Sequence, residues 1–131
     1  MNVDRNKYPF LKDTYVEDFP DGWEAIINYF LENVLLLLQS MNGIKLHVGQ
    51  FKEKWGGLRF YYYLEFPEYS DEKDQDYITN RMEFLVDTLE KDSYYTCQNC
   101  GKDENIIHPT INGYVYTLCS DCFNEDKDEA L

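Results

Sequence analysis

The sequence is short of positive charge, of histidine and of long apolar runs, and each shortage closes off a class of function. Only 12 Lys and Arg stand against 25 Asp and Glu, a formal net charge of −13. Nucleic acid and anionic membranes repel such a chain over most of its surface, so the expected partner is a protein with a basic surface. No stretch approaches the ~20 apolar residues of a membrane span; the longest apolar run, Val34 to Leu38, falls inside an amphipathic pattern. The opening MNVDRNKYPF lacks the apolar stretch of a signal peptide, which makes a soluble, cytoplasmic protein the expectation. His47 and His108 are the only histidines, and HExxH, GxSxG and phosphate-loop motifs are all missing. The balance leans away from an enzyme, and no catalytic residue is assigned.

Aromatic residues, by contrast, are plentiful. With 12 Tyr and 8 Phe in 131 residues there is ample material for a buried core, which excludes disorder of the whole chain. The length suits one core-bearing domain with a small appended lobe.

The 4 cysteines form two pairs, Cys97-Gln-Asn-Cys100-Gly and Cys119-Ser-Asp-Cys122, on either side of a strand-like spacer. A two-residue spacer lets the chain wrap one side of a metal, and Gly101 can take the positive φ needed after a tight knuckle. Cys97, Cys100, Cys119 and Cys122 are therefore expected to ligate one structural Zn²⁺. Iron fits the same four-thiolate cage. Two disulfides would suit a secreted chain, and a redox CxxC would need a thioredoxin-like βαβ pattern that is not present. After Cys122 comes Phe-Asn-Glu-Asp-Lys-Asp-Glu-Ala, which reads as a short helix, fraying from Glu125 to Leu131. The order knuckle, hairpin, helix predicts a treble-clef-like lobe rather than a zinc ribbon. With four thiolates present, His108 is expected to be a hairpin residue and not a ligand. Loss of metal is expected to loosen this lobe and leave the main helices formed.

Upstream, residues 1–19 mix aromatics and charges without a period, predicting an arm whose Tyr8, Phe10, Leu11 and Tyr15 pack on the domain. Residues 20–93 read as an α+β core and 94–131 as the metal lobe. Asp21 and Glu24 have capping-box spacing. Trp23, Ile26, Ile27, Phe30, Leu31, Val34, Leu35, Leu38 and Met41 then recur at helical steps up to Asn42-Gly43. Ile44, Leu46 and Val48 alternate as a strand does, and the phase switch to Phe51 predicts a bulge near Gly49. Gly56-Gly57 is a hairpin turn signal, pairing Lys54 with Arg59 and Glu53 with Phe60. Ile78, Met82, Leu85 and Leu89 mark a second helix, with Phe84 and Val86 widening its stripe. The predicted fold is α+β: two helices with a two-stranded or slightly larger antiparallel sheet, then the metal lobe. A lone hairpin is marginal in water, so the arm or the metal lobe is expected to extend the sheet.

Two surfaces of opposite sign stand out. Between Glu65 and Asp76, Glu68, Asp71, Glu72, Asp74 and Asp76 face Lys73 alone, predicting a solvated acidic loop; the EF-hand glycine and spacing are missing. The hairpin is the basic exception. Lys52, Lys54, Arg59, Tyr61 and Tyr63 share one of its faces, as single-stranded nucleic acid or a phosphorylated ligand would require, or as a partner for the chain's own acids. Glu53 falls on the inward face, where an arginine salt bridge is expected.

Taken together, the helix opening Asp21-Gly22-Trp23, the hairpin FKEKWGGLRFYYY and the CxxCG pair resemble a group of small proteins encoded by tailed phages and prophages. Those proteins carry a KEKFGGLRFY-like hairpin between two helices and a cysteine-containing C-terminus. The resemblance covers about Pro20 to Cys122, with Trp55 where phenylalanine is usual. It implies a phage setting and brings no catalytic residues. The leading expectation is a non-enzymatic protein whose acidic surface occupies a basic, nucleic-acid-binding site on a host or phage protein, such as a defence component. The alternative is a nucleic-acid-binding accessory protein using the hairpin face.

Overall fold

The computed structural model describes residues 1–129, with side chains through Glu125. A 3₁₀ turn, Asp21–Trp23, leads into α1, Glu24–Gln39. The predicted capping box does not form, because that extra turn separates Asp21 from the helix and its carboxylate instead lies 3.1 Å from the amino group of Met1. Ile27, Phe30, Leu31, Val34 and Leu37 are buried, the helical spacing of a core-facing stripe. The Ser40 hydroxyl donates to the Leu37 carbonyl at 2.6 Å to close the helix, and Gly43 follows at φ 84°.

Strands β2 (Lys45–Lys54) and β3 (Gly57–Glu65) form the hairpin. The register shifts between Val48 and Gln50, so the bulge predicted at Gly49 is present. It brings Leu46 and Phe51 to the same buried side although they are an odd number of residues apart. At the tip the register differs from expectation: the turn is Trp55-Gly56, Lys54 faces Gly57, Lys52 faces Arg59 and Glu53 faces Leu58. A slide by an even number of residues leaves every side chain on its predicted face. Trp55 and Gly56 have φ 58° and 79°, as a type I′ turn requires. For a residue with a Cβ that conformation costs about 1–2 kcal/mol. Glu53 finds no arginine; its carboxylate accepts the Gly56 N–H at 3.0 Å, closing the turn from below.

The arm extends the sheet. Strand β1, Tyr15–Val16, pairs parallel to Gln50 and Phe51, making a mixed three-stranded sheet in the order β1-β2-β3. Tyr8, Leu11 and Phe19 are buried in the main core, whereas Tyr15 is 58 % exposed and does not pack inward. Helix α2 spans Glu72–Ser93, with Asp71 as N-cap accepting the Lys73 N–H at 2.8 Å. The acidic stretch is therefore only in part a loop; Glu72 and Asp74 occupy the first turn of α2, where they complement the helix dipole. Ile78, Met82, Leu85, Val86 and Leu89 are buried, but Phe84 points outward and is 56 % exposed.

Both helices cover the inner side of the sheet, where Phe30 meets Phe60 edge-on at 4.9 Å between ring centroids and Phe51 at 6.1 Å. On the outer side Tyr61 and Tyr63 are exposed, while the Tyr94 ring covers Gly57 and meets Arg59 near the hairpin tip. Strand β3 is the sheet's edge, and α2 occupies its unpaired donors: Leu58 N–H donates to the Ser93 hydroxyl at 2.8 Å and Phe60 N–H to the Glu90 carboxylate at 3.2 Å. Ser93 is fully buried. Ser93→Ala would strand the Leu58 N–H, and the expected loss is about 1–3 kcal/mol, read as a lower denaturation midpoint with unchanged m-value. An unchanged midpoint would contradict it.

Beyond Ser93 come four two-residue strands, β4 (Ile106–Ile107), β5 (Thr110–Ile111), β6 (Tyr114–Val115) and β7 (Leu118–Cys119). β4 pairs with β7 and β5 with β6, both antiparallel. Helix α3, Ser120–Glu129, follows directly. Ala130 and Leu131, the end of the tail expected to fray, lie outside the described residues.

Candidate metal centre and exposed charged faces

The four cysteines come from two separate turns. Cys97 and Cys100 lie on a knuckle in which Cys97 N–H donates to the Lys102 carbonyl at 2.8 Å and Gly101 N–H to the Cys97 carbonyl at 3.0 Å. Gly101 takes φ 80°, as the sequence predicts. Cys119 ends β7 and Cys122 lies in the first turn of α3, with its N–H 3.4 Å from the Cys119 sulfur. All four Sγ atoms fall within 4.8 Å of one another, and the Cys100 and Cys119 sulfurs are 3.7 Å apart. A tetrahedral ion with metal–sulfur bonds of ~2.3 Å has ligand edges of ~3.8 Å. The cluster thus has the size to hold a metal ion, and all four thiols are free of disulfides.

The electrostatics of the cage are compatible with a cation. Burial, then the sulfurs of Cys119, Cys100 and Cys97, push the Cys122 thiol up. Burial also pushes the Cys97 thiol up, but the backbone N–H groups of Cys100, Cys119 and Asn99 outweigh it and bring it down to about 7. Four sulfurs this close cannot all ionise unaided, and a bound metal ion removes the repulsion. His108 is not in the cluster: its Nδ1 lies 3.2 Å from the Thr117 hydroxyl, in the link between β4 and β5.

The knuckle is locked onto α1 and the lobe onto the hairpin, a feature that sequence reasoning missed. Gly22 N–H donates to the Gln98 carbonyl at 2.8 Å, and the buried Trp23 indole N–H donates to the Thr96 carbonyl at 2.9 Å. A Cβ on Gly22 would stand 2.1 Å from the Cys97 carbonyl oxygen. On the other side, the buried Thr117 hydroxyl donates to the Gly56 carbonyl at 2.5 Å, while its backbone N–H donates to the Gln98 side chain at 2.6 Å. Gly57 admits the Tyr94 ring, which would lie 2.7 Å from a Cβ there. The Asp-Gly-Trp and Gly-Gly signals are present in the sequence, but they read as local turn chemistry and not as close approach of distant backbone.

Glu68, Asp71, Glu72, Asp74 and Asp76 are all exposed, and none takes part in an ion pair among the described residues. Lys52, Lys54, Arg59, Tyr61 and Tyr63 share the outer side of the sheet, away from the helices, as predicted from their alternation. No helix of the described residues is long and apolar enough to cross a membrane. No family of known proteins, no characterised protein and no solved structure matches the chain.

Proposed function

We propose that the chain is a non-enzymatic binding protein whose acidic surface docks on a basic surface of a host or phage protein, with a treble-clef-like lobe holding one structural Zn²⁺. Exposure of five carboxylates without ion pairs, on the loop before α2 and the start of that helix, is the observation that carries the docking reading. Acids this concentrated repel one another, and their mutual field is useful chiefly for steering an oppositely charged partner. The resemblance to small phage proteins makes a nucleic-acid-binding component of the infected cell the expected target.

Zinc is the expected metal because a cage of four thiolates is of the closed structural type, with no position for a reacting water. The order of knuckle, short antiparallel strands and a helix bearing Cys122 in its first turn supports the treble-clef reading. Elemental analysis of purified protein should give one zinc per chain; an iron–sulfur absorption spectrum, or no stoichiometric metal, would reject that assignment.

The docking reading is tested by capture from infected-cell extract. A five-fold variant, with Glu68, Glu72→Gln and Asp71, Asp74, Asp76→Asn, should lose a partner that the unmodified protein retains, and association with that partner should slow at least tenfold and become less salt-dependent. Equal retention by both proteins would remove the acidic surface from the interaction.

A further inference from the structure

Near the hairpin tip the outer side of the sheet concentrates cations with no carboxylate partner, in a chain with 25 acidic residues, whereas Glu65 at the other end of that side lies 3.8 Å from Lys45. Lys52 stands directly opposite Arg59, with Lys54 two residues further along, opposite Gly57. None of the three forms an ion pair among the described residues. Like charges directly opposite each other on a sheet destabilise it. Arg59 is also held in place: its guanidinium donates to the Tyr94 hydroxyl at 2.6 Å and to the Leu58 carbonyl at 2.8 Å.

Aromatic rings continue the same side of the sheet beyond these charges. Tyr61 and Tyr63 are 44 % and 64 % exposed, two strand residues apart on the same side. The Lys52 ammonium lies 5.8 Å from the Tyr61 ring centroid. The His47 ring stacks on Tyr63 at 4.5 Å and 14°, fixing that ring and leaving much of it open to solvent. Between these rings the Gly49 bulge opens a groove of 470 Å³ bordered by His47, Tyr61 and Tyr63.

We propose that this face binds single-stranded nucleic acid, with phosphates on Lys52, Lys54 and Arg59 and unpaired bases stacked on Tyr61 and Tyr63. Charge complementarity selects a polyanion, and flat exposed rings beside the cations select one with free bases over a duplex or an acidic peptide. The acids of α2 do not forbid it. Glu72, Asp74 and Asp76 lie 14 or more residues along α2 from Glu90, whose carboxylate accepts the Phe60 N–H, and 14 residues span about 21 Å, well beyond the ~8 Å Debye length of physiological salt. This site is separate from the acidic surface of the proposed function, and either can fail without the other.

The test is fluorescence anisotropy of the full chain, metal bound, against a labelled single-stranded oligonucleotide of mixed sequence, a duplex of the same length and poly-glutamate. Micromolar or tighter binding of the single strand at moderate salt is expected, weaker for the duplex and absent for poly-glutamate. Lys52→Ala with Lys54→Ala should weaken binding at least tenfold and reduce the salt slope by about 1.4, ~0.7 for each phosphate no longer neutralised. Tyr61→Ala with Tyr63→Ala should weaken it at least tenfold with the slope unchanged. All four side chains are at least partly exposed, so melting curves should show both variants folded. No binding of the single strand at low salt, equal binding of poly-glutamate, or single-strand binding that survives both variants would overturn the proposal.

Discussion

Cys97→Ser is expected to release the metal and to lower the thermal stability of the whole chain, not of the C-terminal lobe alone. Structural zinc contributes about 10–16 kcal/mol of apparent binding free energy in isolated fingers, where it is also the free energy of folding. Read from sequence, the lobe is an appendage that loosens by itself. The geometry argues otherwise, because the Cys97 knuckle supplies the Gln98 carbonyl to Gly22 and adjoins the Thr96 carbonyl that receives the Trp23 indole. Trp23 is fully buried at the start of α1. If the knuckle opens, that indole N–H loses its acceptor and the α1 entry loses its support. A loss of some 3–5 kcal/mol from the main core corresponds to a fall in melting temperature of roughly 10–20 °C. Circular dichroism should show one cooperative transition moving down, and a chelator should reproduce the shift in the unmodified protein. Two separate transitions, with the helical one unmoved, would show that the lobe melts independently.

Gly22→Ala is expected to be as damaging although it removes no metal-binding sulfur. The added Cβ would lie 2.1 Å from the Cys97 carbonyl oxygen and 2.5 Å from the carbonyl of Gln98. Both obstacles are backbone of the knuckle, so relief requires the helix entry and the metal lobe to separate. Forced separation costs about 3–5 kcal/mol, the range of severe core disruption. The variant also tells the two halves of the interlock apart. Metal content should stay near one per chain, because the four sulfurs belong to the lobe, while the melting temperature falls by an amount similar to that for Cys97→Ser. A Gly22→Ala protein as stable as the unmodified one would mean that the lobe does not sit against α1 in solution.

What the sequence makes readable is what local spacing controls. The helical stripe from Ile27 to Val34, the bulge at Gly49, the positive φ of Gly101 and the C-terminal helix, which starts at Ser120 and not after Cys122 as expected, each follow from residues within a few positions of one another. The misreadings arise where a distant contact overrides the local rule. Gly56-Gly57 is the obvious turn, yet Gly57 is committed to the Tyr94 ring, so the turn moves back to Trp55 despite its unfavourable φ of 58°. Asp21 has the spacing of a cap, but Gly22 is bound to Gln98 and the chain enters α1 through a 3₁₀ turn instead. Phe84 fits the apolar stripe of α2 and is exposed, since a stripe with Ile78, Met82, Leu85 and Leu89 already fills the space above the sheet. The cysteine cluster is readable because its chemistry fixes which residues must meet. The two charged surfaces are readable as composition, but only the fold shows that one lies on the sheet's outer side and the other on a loop and helix.

The capped edge of β3 limits how this protein can meet others. Recognition by strand addition requires a row of free backbone donors and acceptors along a sheet margin, and the same row is what drives uncontrolled edge-to-edge aggregation. Here the Ser93 hydroxyl and the Glu90 carboxylate occupy the donors of Leu58 and Phe60, and the opposite margin is the two-residue strand β1. An extended peptide therefore finds little template at either margin. Partners are directed to side chains on a flat surface, so affinity can be tuned by substitutions there without disturbing the hydrogen-bonded ladder that holds the sheet together.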